Sequence, residues 1–523
     1  MNKPLSPVPL TRQITPEYML PGELPPVLPL IQNLCDELSR EGINYCHWKS
    51  NNAIDRSANG VNDLDLLIER SEGSRFSELL FQLGFKQAKA SPEKEAPGIQ
   101  DFFGYDCDSG RLVHVHAHFQ LILGHDMTKS FRLPIEKAYL ASASQGDHFR
   151  IPAPEFEFVV FVIRMILKHS TWDTILAREA GLNKSERQEL KYLSEMVDKN
   201  QVYEVLIQHL PYIEPDLFDH CVEALRPGCP LWRRIRAGQK LQSSLQALSR
   251  RPLAADIFLK QWRRTILAFR WRLYKSSKKR TLIQGGATIA IVGGDGAGKS
   301  TAVDGLQRWL SKDFDVIKAH LGKPAWSITT IFIRSILKIG QILGFYPLEV
   351  SFKETIGQNS LVSPGYPFLI REACRARDRY RTYLKVRRFA ASGGLVLFDR
   401  FPVDQVQLMD GPQTARLIKA LKNKPAGRGF LIPHEESWLA KMLVRIEESY
   451  YRKIVLPEIL IVIRLDPEIA VQRKTEEKPD IVRERSLEIL SADWQGTNAN
   501  VIDGSRPQAE VLADIKAYIW SQL

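Results

Sequence analysis

The spacing of apolar residues over the first 150 positions switches between a helical period and a strand period. Apolar side chains that recur every three or four residues indicate a helix facing a core, and strict alternation indicates a half-buried strand. We therefore predict a small α/β domain over residues 28–150, preceded by a proline-rich arm over residues 1–27. The predicted helices cover residues 28–42 and 75–83, and the predicted strands cover residues 43–50, 63–69 and 111–123.

Residues 151–275 lose the strand pattern and show helical spacing, so we predict a helical middle region there. Its basic end, residues 258–280, interleaves Trp, Phe and Leu with Lys and Arg. Such a stretch suits a helix in peripheral contact with an anionic membrane. It equally suits a helix that packs its apolar side on the protein and solvates its charges, and both interpretations stay open. Residues 276–286 have the composition of a linker.

Over residues 287–523 short apolar runs alternate with helical segments, which predicts an α/β domain with a doubly wound parallel sheet. The first run, ATIAIV, is a buried strand by composition, and GGDGAGKST follows it directly. This match to G-x-x-x-x-G-K-S, between a strand and a helical pattern, predicts a P-loop rather than a chance glycine-rich turn. The residues expected around the phosphates are Gly293, Gly294, Asp295, Gly296, Ala297, Gly298, Lys299, Ser300 and Thr301.

Each residue type in this loop has a physical role. Glycines let backbone N–H groups turn toward phosphate oxygens, and the following helix adds the positive end of its dipole. Lys299 supplies a mobile charge for the β- and γ-phosphates, and the Ser300 hydroxyl can bind Mg²⁺. Asp399 ends the apolar run LVLFD, where its carboxylate either holds the same metal or caps the strand, and Arg400 follows it. The pattern predicts a P-loop kinase that uses ATP and Mg²⁺ on a small acceptor.

The residues from 287 onward resemble the thymidylate kinase family. The likeness rests on motifs that follow one another along the chain, and it implies a kinase of the nucleoside-monophosphate type. It is also compatible with a homodimer, although the sequence leaves the oligomeric state open. The motifs are DGAGK in the P-loop, ARDRY at 376–380, Asp399–Arg400–Phe401, LDPEIAVQRK at 465–474 and VIDGSRPQAEVLADI at 501–515.

The resemblance also implies roles for single residues. Asp295 would contact the sugar of the acceptor, and Arg400 and Arg379 would bind its phosphate, with Phe401 beside them. Some members carry a catalytic cation inside the P-loop, where this chain has Gly296, so the cation must come from another segment. The expected lid, RKTEEKPDIVRER, either supplies that cation or is an ordinary solvated helix. The residues we expect to serve are Arg473, Lys474 and Arg483.

Two departures from the family concern the acceptor. The Arg-Glu-Pro motif after the second strand is absent, and AHLGKPAW stands there instead, with His320 and Lys323. The stretch that follows, residues 326–345, is a long and mostly apolar helix. The expected acceptor is therefore another nucleotide, a sugar phosphate or a lipid-linked compound rather than dTMP.

A second pattern of chemical interest lies in the N-terminal domain. GVNDLDLLI places Asp63 and Asp65 two residues apart on a strand, so both carboxylates share a face and can hold Mg²⁺. The domain resembles the bacterial nucleotidyltransferase-like family, whose Asp-x-Asp strand is followed by a strand with an acidic residue and a histidine. Here His116 stands in the place of the acidic residue and His118 in that of the histidine. Strand alternation puts His114 on the same face, and such a cluster favours a softer metal.

Alternatives remain for both ends of the chain. The N-terminal domain is an active nucleotidyltransferase, a degenerate fold whose aspartates only bind, or an unrelated α/β domain. The main hypothesis for the whole chain is an ATP-dependent phosphotransferase with an accessory nucleotidyltransferase-like domain. The alternative is a non-catalytic ATP switch or adaptor that docks a partner or a membrane through the basic helical region.

Length and composition narrow these hypotheses. The chain has 523 residues, which suggests roughly two to four domains. A net charge of +12 suits phosphorylated ligands or an anionic membrane, while the sequence contains no zinc-finger spacing or RNP motif that would indicate a specific nucleic-acid partner. The N-terminus lacks the apolar core of a signal peptide. Six cysteines without a CxxC pair indicate reduced thiols, as in a cytoplasmic protein.

Overall fold

A computed structural model of the chain describes residues 27–93, 95–171, 181–274, 279–344, 366–406, 411–415 and 437–523. The predicted N-terminal arm lies outside these residues, except for its last position. The chain forms two compact units. The first contains the described residues up to position 86 and those between 92 and 275, and the second contains residues 87–91 and those after 275. The boundary that the sequence suggests at residue 150 falls inside the first unit.

Short strands dominate the N-terminal part of the chain. They are β1 (Tyr45–His47), β2 (Leu64–Ile68), β3 (Lys86–Lys89), β4 (Ile99–Asp106), β5 (Arg111–His118), β6 (Leu121–Leu123), β7 (Phe131–Leu133), β8 (Ser144–Gln145) and β9 (Arg150–Ile151). Strands β1, β2, β5 and β4 lie side by side in that order. The β2–β5 pair is parallel, whereas β1–β2 and β4–β5 are antiparallel. The strands predicted over residues 43–50 and 63–69 are present as β1 and β2, and the one predicted over residues 111–123 is divided into β5 and β6. Strands β3, β4, β7, β8 and β9 were not predicted.

Helices make up the rest of the first unit. They are α1 (Pro29–Arg40), α2 (Ile54–Ala58), α3 (Gly73–Gln82), α4 (Glu136–Ala141), α5 (Pro154–His169), α6 (Lys184–Met196), α7 (Lys199–His209), α8 (Pro215–Leu225), α9 (Leu231–Ser244) and α10 (Leu253–Tyr274). Helix α5 is apolar almost all round its circumference, so it becomes the buried centre of the helical region. Helices α1 and α3 have one apolar face each, which packs with buried residues of β2 and β5.

The first turn of α5 buries a carboxylate. Glu157 accepts hydrogen bonds from the backbone N–H of Asn51 at 3.2 Å and from its Nδ2 at 2.8 Å. Burial raises the pKa of Glu157 to about 7, although these hydrogen bonds favour the charged form, and the carboxylate of Glu189 adds to the rise. Arg164 opposes that rise, and its guanidinium donates to Glu189 at 3.0 Å. The folded state therefore holds a proton on Glu157 that the unfolded chain, with an ordinary pKa of 4.5, releases at lower pH.

We predict that Glu157 makes the first unit less stable as the pH rises. Its contribution is greatest below pH 4.5 and is lost as the pH passes through about 7, where the buried carboxyl must ionise. The lost stability is about 3 kcal/mol between pH 5 and pH 8. Urea unfolding of Glu157→Gln across this range should give a correspondingly flatter pH dependence. Glu155→Gln, a change in the same helical turn, should keep the wild-type profile, and equal profiles for Glu157→Gln and wild type would contradict the assignment.

The second unit is built on a parallel sheet. Its strands are β10 (Thr281–Leu282), β11 (Ala287–Gly293), β12 (Val316–Ala319), β13 (Leu395–Asp399), β14 (Ile459–Arg464) and β15 (Ala499–Asp503). The last five form one sheet in the order β12, β13, β11, β14, β15, with every pair parallel. All residues of β11 and β13 are buried, as a strand covered on both faces requires. The α/β class predicted for this region is confirmed.

Helices follow and connect the strands of this sheet along the chain. They are α11 (Lys299–Leu310), α12 (Ile328–Ile342), α13 (Tyr366–Ala391), α14 (Trp438–Tyr451), α15 (Pro467–Arg473), α16 (Pro479–Ser491) and α17 (Gln508–Gln522). The chain leaves β11 toward β12 on one side of the sheet order, and it leaves β13 toward β14 on the other side. Because the two connections diverge, a crevice opens beyond the carboxyl ends of β11 and β13, where open α/β sheets bind their ligands.

Helices α12 and α10 each carry several exposed apolar side chains. In α12 these include Ile328, Phe332 and Ile342, and in α10 they include Trp262 and Trp271. Among the described residues, no helix combines the length and the apolar character that crossing a bilayer requires.

Candidate functional site

The loop between β11 and α11 has the backbone of a phosphate cradle. Gly296 and Gly298 have φ values of 77° and 84°, a region that residues with a Cβ rarely adopt. Gly298 is the residue that starts α11, and Lys299 and Ser300 form the first turn of that helix. The N–H groups of that turn have no partner within the helix, so they point into the crevice. The predicted strand, loop and helix are therefore all present.

The ammonium of Lys299 folds back over this loop. Its Nζ donates to the carbonyl oxygen of Gly294 at 2.5 Å. This contact holds the charge close to the loop backbone, where the β- and γ-phosphates of a nucleotide would lie. The Ser300 hydroxyl is exposed at the start of α11, in a position open to a metal ion.

Asp295 meets a cation that the sequence analysis did not select. Arg485, on α16, donates from Nη1 to Asp295 Oδ2 at 2.5 Å and to Glu477 Oε2 at 3.2 Å. Burial opposes the charge on Asp295, but the hydrogen bond from Arg485 and the charge of Lys299 outweigh burial and hold its carboxyl pKa below the usual range. The expected lid thus reaches the P-loop through Arg485.

The three lid residues named from the sequence have different surroundings. Arg473 lies against the P-loop, since a Cβ at Gly296 would be 3.5 Å from the Cβ of Arg473, and its guanidinium donates to Gly504 at 3.0 Å. Lys474 ends α15. Arg483 forms ion pairs with Glu468 at 2.7 Å on an exposed surface. This geometry favours Arg485 and Arg473 over Arg483 as partners of a bound phosphate.

Asp399 stands beside the P-loop strand. It ends β13 directly opposite Ile291 of β11, and its side chain is buried. Lys318, at the end of β12, brings its Nζ within 3.8 Å of Asp399 Oδ2 and within 2.7 Å of Asp304. The Ser300 hydroxyl and the Asp399 carboxylate lie on either side of this crevice, and both offer the oxygen ligands that Mg²⁺ prefers.

Arg400 and Arg379 converge on one loop. Arg400 has a φ of 67°, an unusual value for a residue with a side chain, and a Cβ at Gly322 would lie 3.1 Å from its Cδ. Arg379, on α13, donates from Nε to the carbonyl oxygen of Leu321 at 2.7 Å and stacks over the Tyr451 ring at 5.0 Å. Residues 321 and 322 belong to the segment that stands in place of the Arg-Glu-Pro motif.

The Phe401 side chain is packed inside the protein and does not lie open to a ligand. Its ring is buried and packs edge to face on Phe398 at 5.0 Å between centroids. The side chain therefore anchors the turn that carries Arg400. Direct contact with a ligand would require this packed ring to move.

Two proteins of Escherichia coli strain K12 are similar to this chain. The uncharacterized ATP-binding protein YghR is 24% identical over 229 residues, which make up 43% of this chain and 83% of YghR. The uncharacterized ATP-binding protein YghS is 26% identical over 228 residues, which make up 43% of this chain and 88% of YghS. No protein-family model matches the chain.

A second polar cluster lies on the sheet of the first unit. His114 is held between two carboxylates, with Nδ1 2.9 Å from Asp63 and Nε2 2.6 Å from Asp101. Burial opposes its charge, but the hydrogen bonds with Asp101 and Asp63 outweigh burial and raise the pKa of His114 to about 9. Both ring nitrogens of His114 are thus engaged by carboxylates. The expected cluster of three histidines does not include His114 in this geometry, because only His116 and His118 bring a ring nitrogen close to Asp65.

Asp65 has neighbours different from those of Asp63. Its Oδ1 lies 2.8 Å from Lys49 Nζ, 3.0 Å from His116 Nδ1 and 3.7 Å from His118 Nε2. Burial opposes the charge of Asp65, but Lys49 and the hydrogen bonds from the two histidines hold the pKa of this carboxyl well below its usual range. Burial lowers the pKa of His116 and of His118, which favours the neutral form of each ring.

Four residues of these clusters were missed in the sequence analysis. Lys49 and Arg485 belong to the strand predicted over residues 43–50 and to the expected lid, but neither segment reveals which carboxylate its cation contacts. Asp101 lies on β4, which was not predicted, and Lys318 lies on β12. A strand signal for β4 is present in the aromatic residues of IQDFFGYD and in the turn residues Asp-Ser-Gly that follow.

We predict that Arg485 and Arg483 differ in their effect on stability, although they lie two residues apart. Arg485→Met should lower the free energy of unfolding by about 2 kcal/mol, because the buried carboxylate of Asp295 loses its partner. Arg483→Met should leave it close to the wild-type value, because the ion pairs of Arg483 are exposed. Urea unfolding followed by tryptophan fluorescence measures both. Equal effects of the two substitutions would show that the contact of Arg485 with the P-loop is not formed.

Proposed function

We propose that the second unit is an ATP-dependent phosphotransferase of the nucleoside-monophosphate-kinase type. It transfers the γ-phosphoryl group of ATP to a small phosphorylated acceptor, either a nucleotide or a sugar phosphate. The observation that carries the proposal is the P-loop at the end of β11, beside the buried Asp399 carboxylate at the end of the adjacent strand β13. The two Escherichia coli relatives, both named ATP-binding proteins, support the nucleotide half of the proposal.

The residues around the P-loop have different roles in the proposed in-line transfer. Lys299 and the N–H groups at the start of α11 bind the β- and γ-phosphates, and Ser300 and Asp399 hold Mg²⁺. Mg²⁺ held there would supply charge to the transferring group, while Lys299 and the N–H groups position that group and stabilise it electrostatically, with no covalent intermediate. Arg485 is the lid cation in this proposal, because its guanidinium already contacts Asp295 in the loop.

The acceptor site lies around residues 321 and 322 in this proposal. The supporting observation is that Arg379 and Arg400 come to this loop from α13 and from the end of β13. Two guanidinium groups at one place suit a phosphate or another anionic group. His320 and Lys323 flank the same loop and distinguish this acceptor site from that of a thymidylate kinase.

Replacement of Lys299 tests the transfer reaction. Lys299→Ala should lower kcat/KM for phosphoryl transfer by about 100-fold or more, since one lost contact to transition-state charge has that effect. The measurement is transfer of labelled γ-phosphate from ATP–Mg²⁺ to a panel of nucleoside monophosphates and sugar phosphates. Lys312→Ala, a lysine exposed just beyond α11, should retain wild-type rates.

Replacement of Arg400 tests the acceptor site. Arg400→Ala should raise KM for the acceptor roughly 10- to 100-fold, which corresponds to a lost hydrogen bond between charged groups. The affinity for ATP, measured by calorimetry, should stay within about twofold of the wild-type value, because Arg400 serves the acceptor. Arg388→Ala removes an exposed arginine from α13 and is the control. A large loss of ATP affinity in Arg400→Ala would remove the residue from the acceptor site.

A second candidate function is a non-catalytic ATP switch or adaptor. The exposed apolar side chains of the basic helix α10, among them Trp262, Phe269 and Trp271, favour it because they offer a surface for a partner or a membrane. The same transfer assay separates the two functions. If ATP binds but no acceptor in the panel increases its turnover, the switch replaces the kinase. Nucleotidyltransferase activity of the first unit stays a prediction.

A further inference from the structure

Three ligand atoms of the first unit lie close together on its sheet. Asp65 of β2 is paired directly with His116 of the parallel strand β5, and His118 follows two residues later on the same face. Asp65 Oδ1 and His116 Nδ1 are 3.0 Å apart, His116 Nδ1 and His118 Nε2 are 3.2 Å apart, and Asp65 Oδ1 and His118 Nε2 are 3.7 Å apart. The triangle is fixed by the backbone register of two neighbouring strands.

These separations match a tetrahedral metal centre. A Zn²⁺ ion about 2.1 Å from each ligand atom sets the ligand atoms about 3.4 Å from one another. The three observed separations bracket that value. Two imidazoles with one carboxylate are also a donor set of Zn²⁺ and of related transition-metal ions, whereas Mg²⁺ and Ca²⁺ take oxygen ligands. Three protein ligands leave a fourth position for water or substrate.

We propose that Asp65, His116 and His118 bind one divalent transition-metal ion of the Zn²⁺ class. The site belongs to the first unit and is independent of the P-loop and its Mg²⁺. This site takes the place of the magnesium site that the sequence suggested at Asp63 and Asp65. Asp63 already pairs with Nδ1 of His114, whose Nε2 contacts Asp101.

The surroundings of the three ligands hold them in place. The His118 ring is buried and packs edge to face against Trp48, with centroids 4.9 Å apart. The His116 ring packs edge to face on His118 at 4.4 Å. His116 and Asp65 keep 19% and 14% of their side-chain surface exposed, so an ion can reach the ligand atoms from solvent.

Lys49 lies against one ligand atom of the proposed metal site, so its replacement should change metal affinity in a direction that a purely structural cluster would not show. Its ammonium donates to the same oxygen, Asp65 Oδ1, at 2.8 Å, and nearly a quarter of the side chain is exposed. A metal ion and this ammonium compete for that oxygen, because both carry positive charge and need the same lone pairs. Removal of the ammonium should therefore strengthen metal binding.

Cobalt binding tests the proposal directly. Untagged full-length protein, free of nucleotide and Mg²⁺, is titrated with Co²⁺ while its visible d–d absorption is recorded. We expect one equivalent of Co²⁺ with the intense bands of a four- or five-coordinate ion, displaced stoichiometrically by Zn²⁺. His116→Ala and His118→Ala should each weaken binding by about 100-fold or more, since loss of a mere outer-shell partner already costs 10- to 100-fold. Lys49→Met should bind about tenfold more tightly than wild type.

Two control variants separate this site from others. His220→Ala removes an exposed histidine of α8 and should keep the full cobalt signal. Lys299→Ala disables the P-loop and should keep it too, so failure of the kinase proposal would leave this one intact. Far-ultraviolet circular dichroism establishes that each variant is folded. The proposal is overturned if wild type shows no stoichiometric band, if folded His116→Ala and His118→Ala retain it, or if Lys299→Ala loses it.

Discussion

The burial of β11 between two parallel neighbours is the constraint on which the second unit depends. All seven residues of this strand are buried, and it pairs with β13 on one side and with β14 on the other. From the end of this strand the chain turns through glycines into α11. The N–H groups of the first turn of α11 lack partners within the helix, and they lie where the connections from β11 and β13 diverge. The phosphate site follows from the sheet.

Charge pairing organises the functional groups of both units. In the second unit Asp295 forms an ion pair with the guanidinium of Arg485, and in the first unit Asp63 pairs with the ring of His114. Leaving the buried carboxylate of Asp295 without a partner would be costly, and a cation from a distant part of the chain pairs with it. Other buried carboxylates are satisfied differently: Glu157 holds its proton to about pH 7 and accepts hydrogen bonds from Asn51, and Glu447 accepts from the backbone N–H groups of Gln413 and Thr414.

The local motifs were predictable because the residues that form them are close together in the sequence. The strand, the glycine loop, Lys299 and Ser300 lie within 14 residues, so spacing alone identifies them. β4 was not predicted, because the sequence analysis did not use the aromatic signal of IQDFFGYD, and without β4 the partner of His114 at Asp101 could not be seen. The expected lid contains both Arg483 and Arg485, and the sequence does not reveal that Arg485 is the one that contacts the P-loop. Both are arginines of one helix, and only packing decides which of them faces the P-loop.

The sequence by itself determined where phosphate-binding backbone forms and which strands are buried, because these properties depend on neighbours along the chain. The tertiary structure decided which carboxylate meets which cation. Asp65 joins His116 because β2 and β5 pair in one particular register, and a shift by one residue would turn the histidines to the opposite face. Contacts across 51 residues of chain are fixed by that register, which no local pattern specifies.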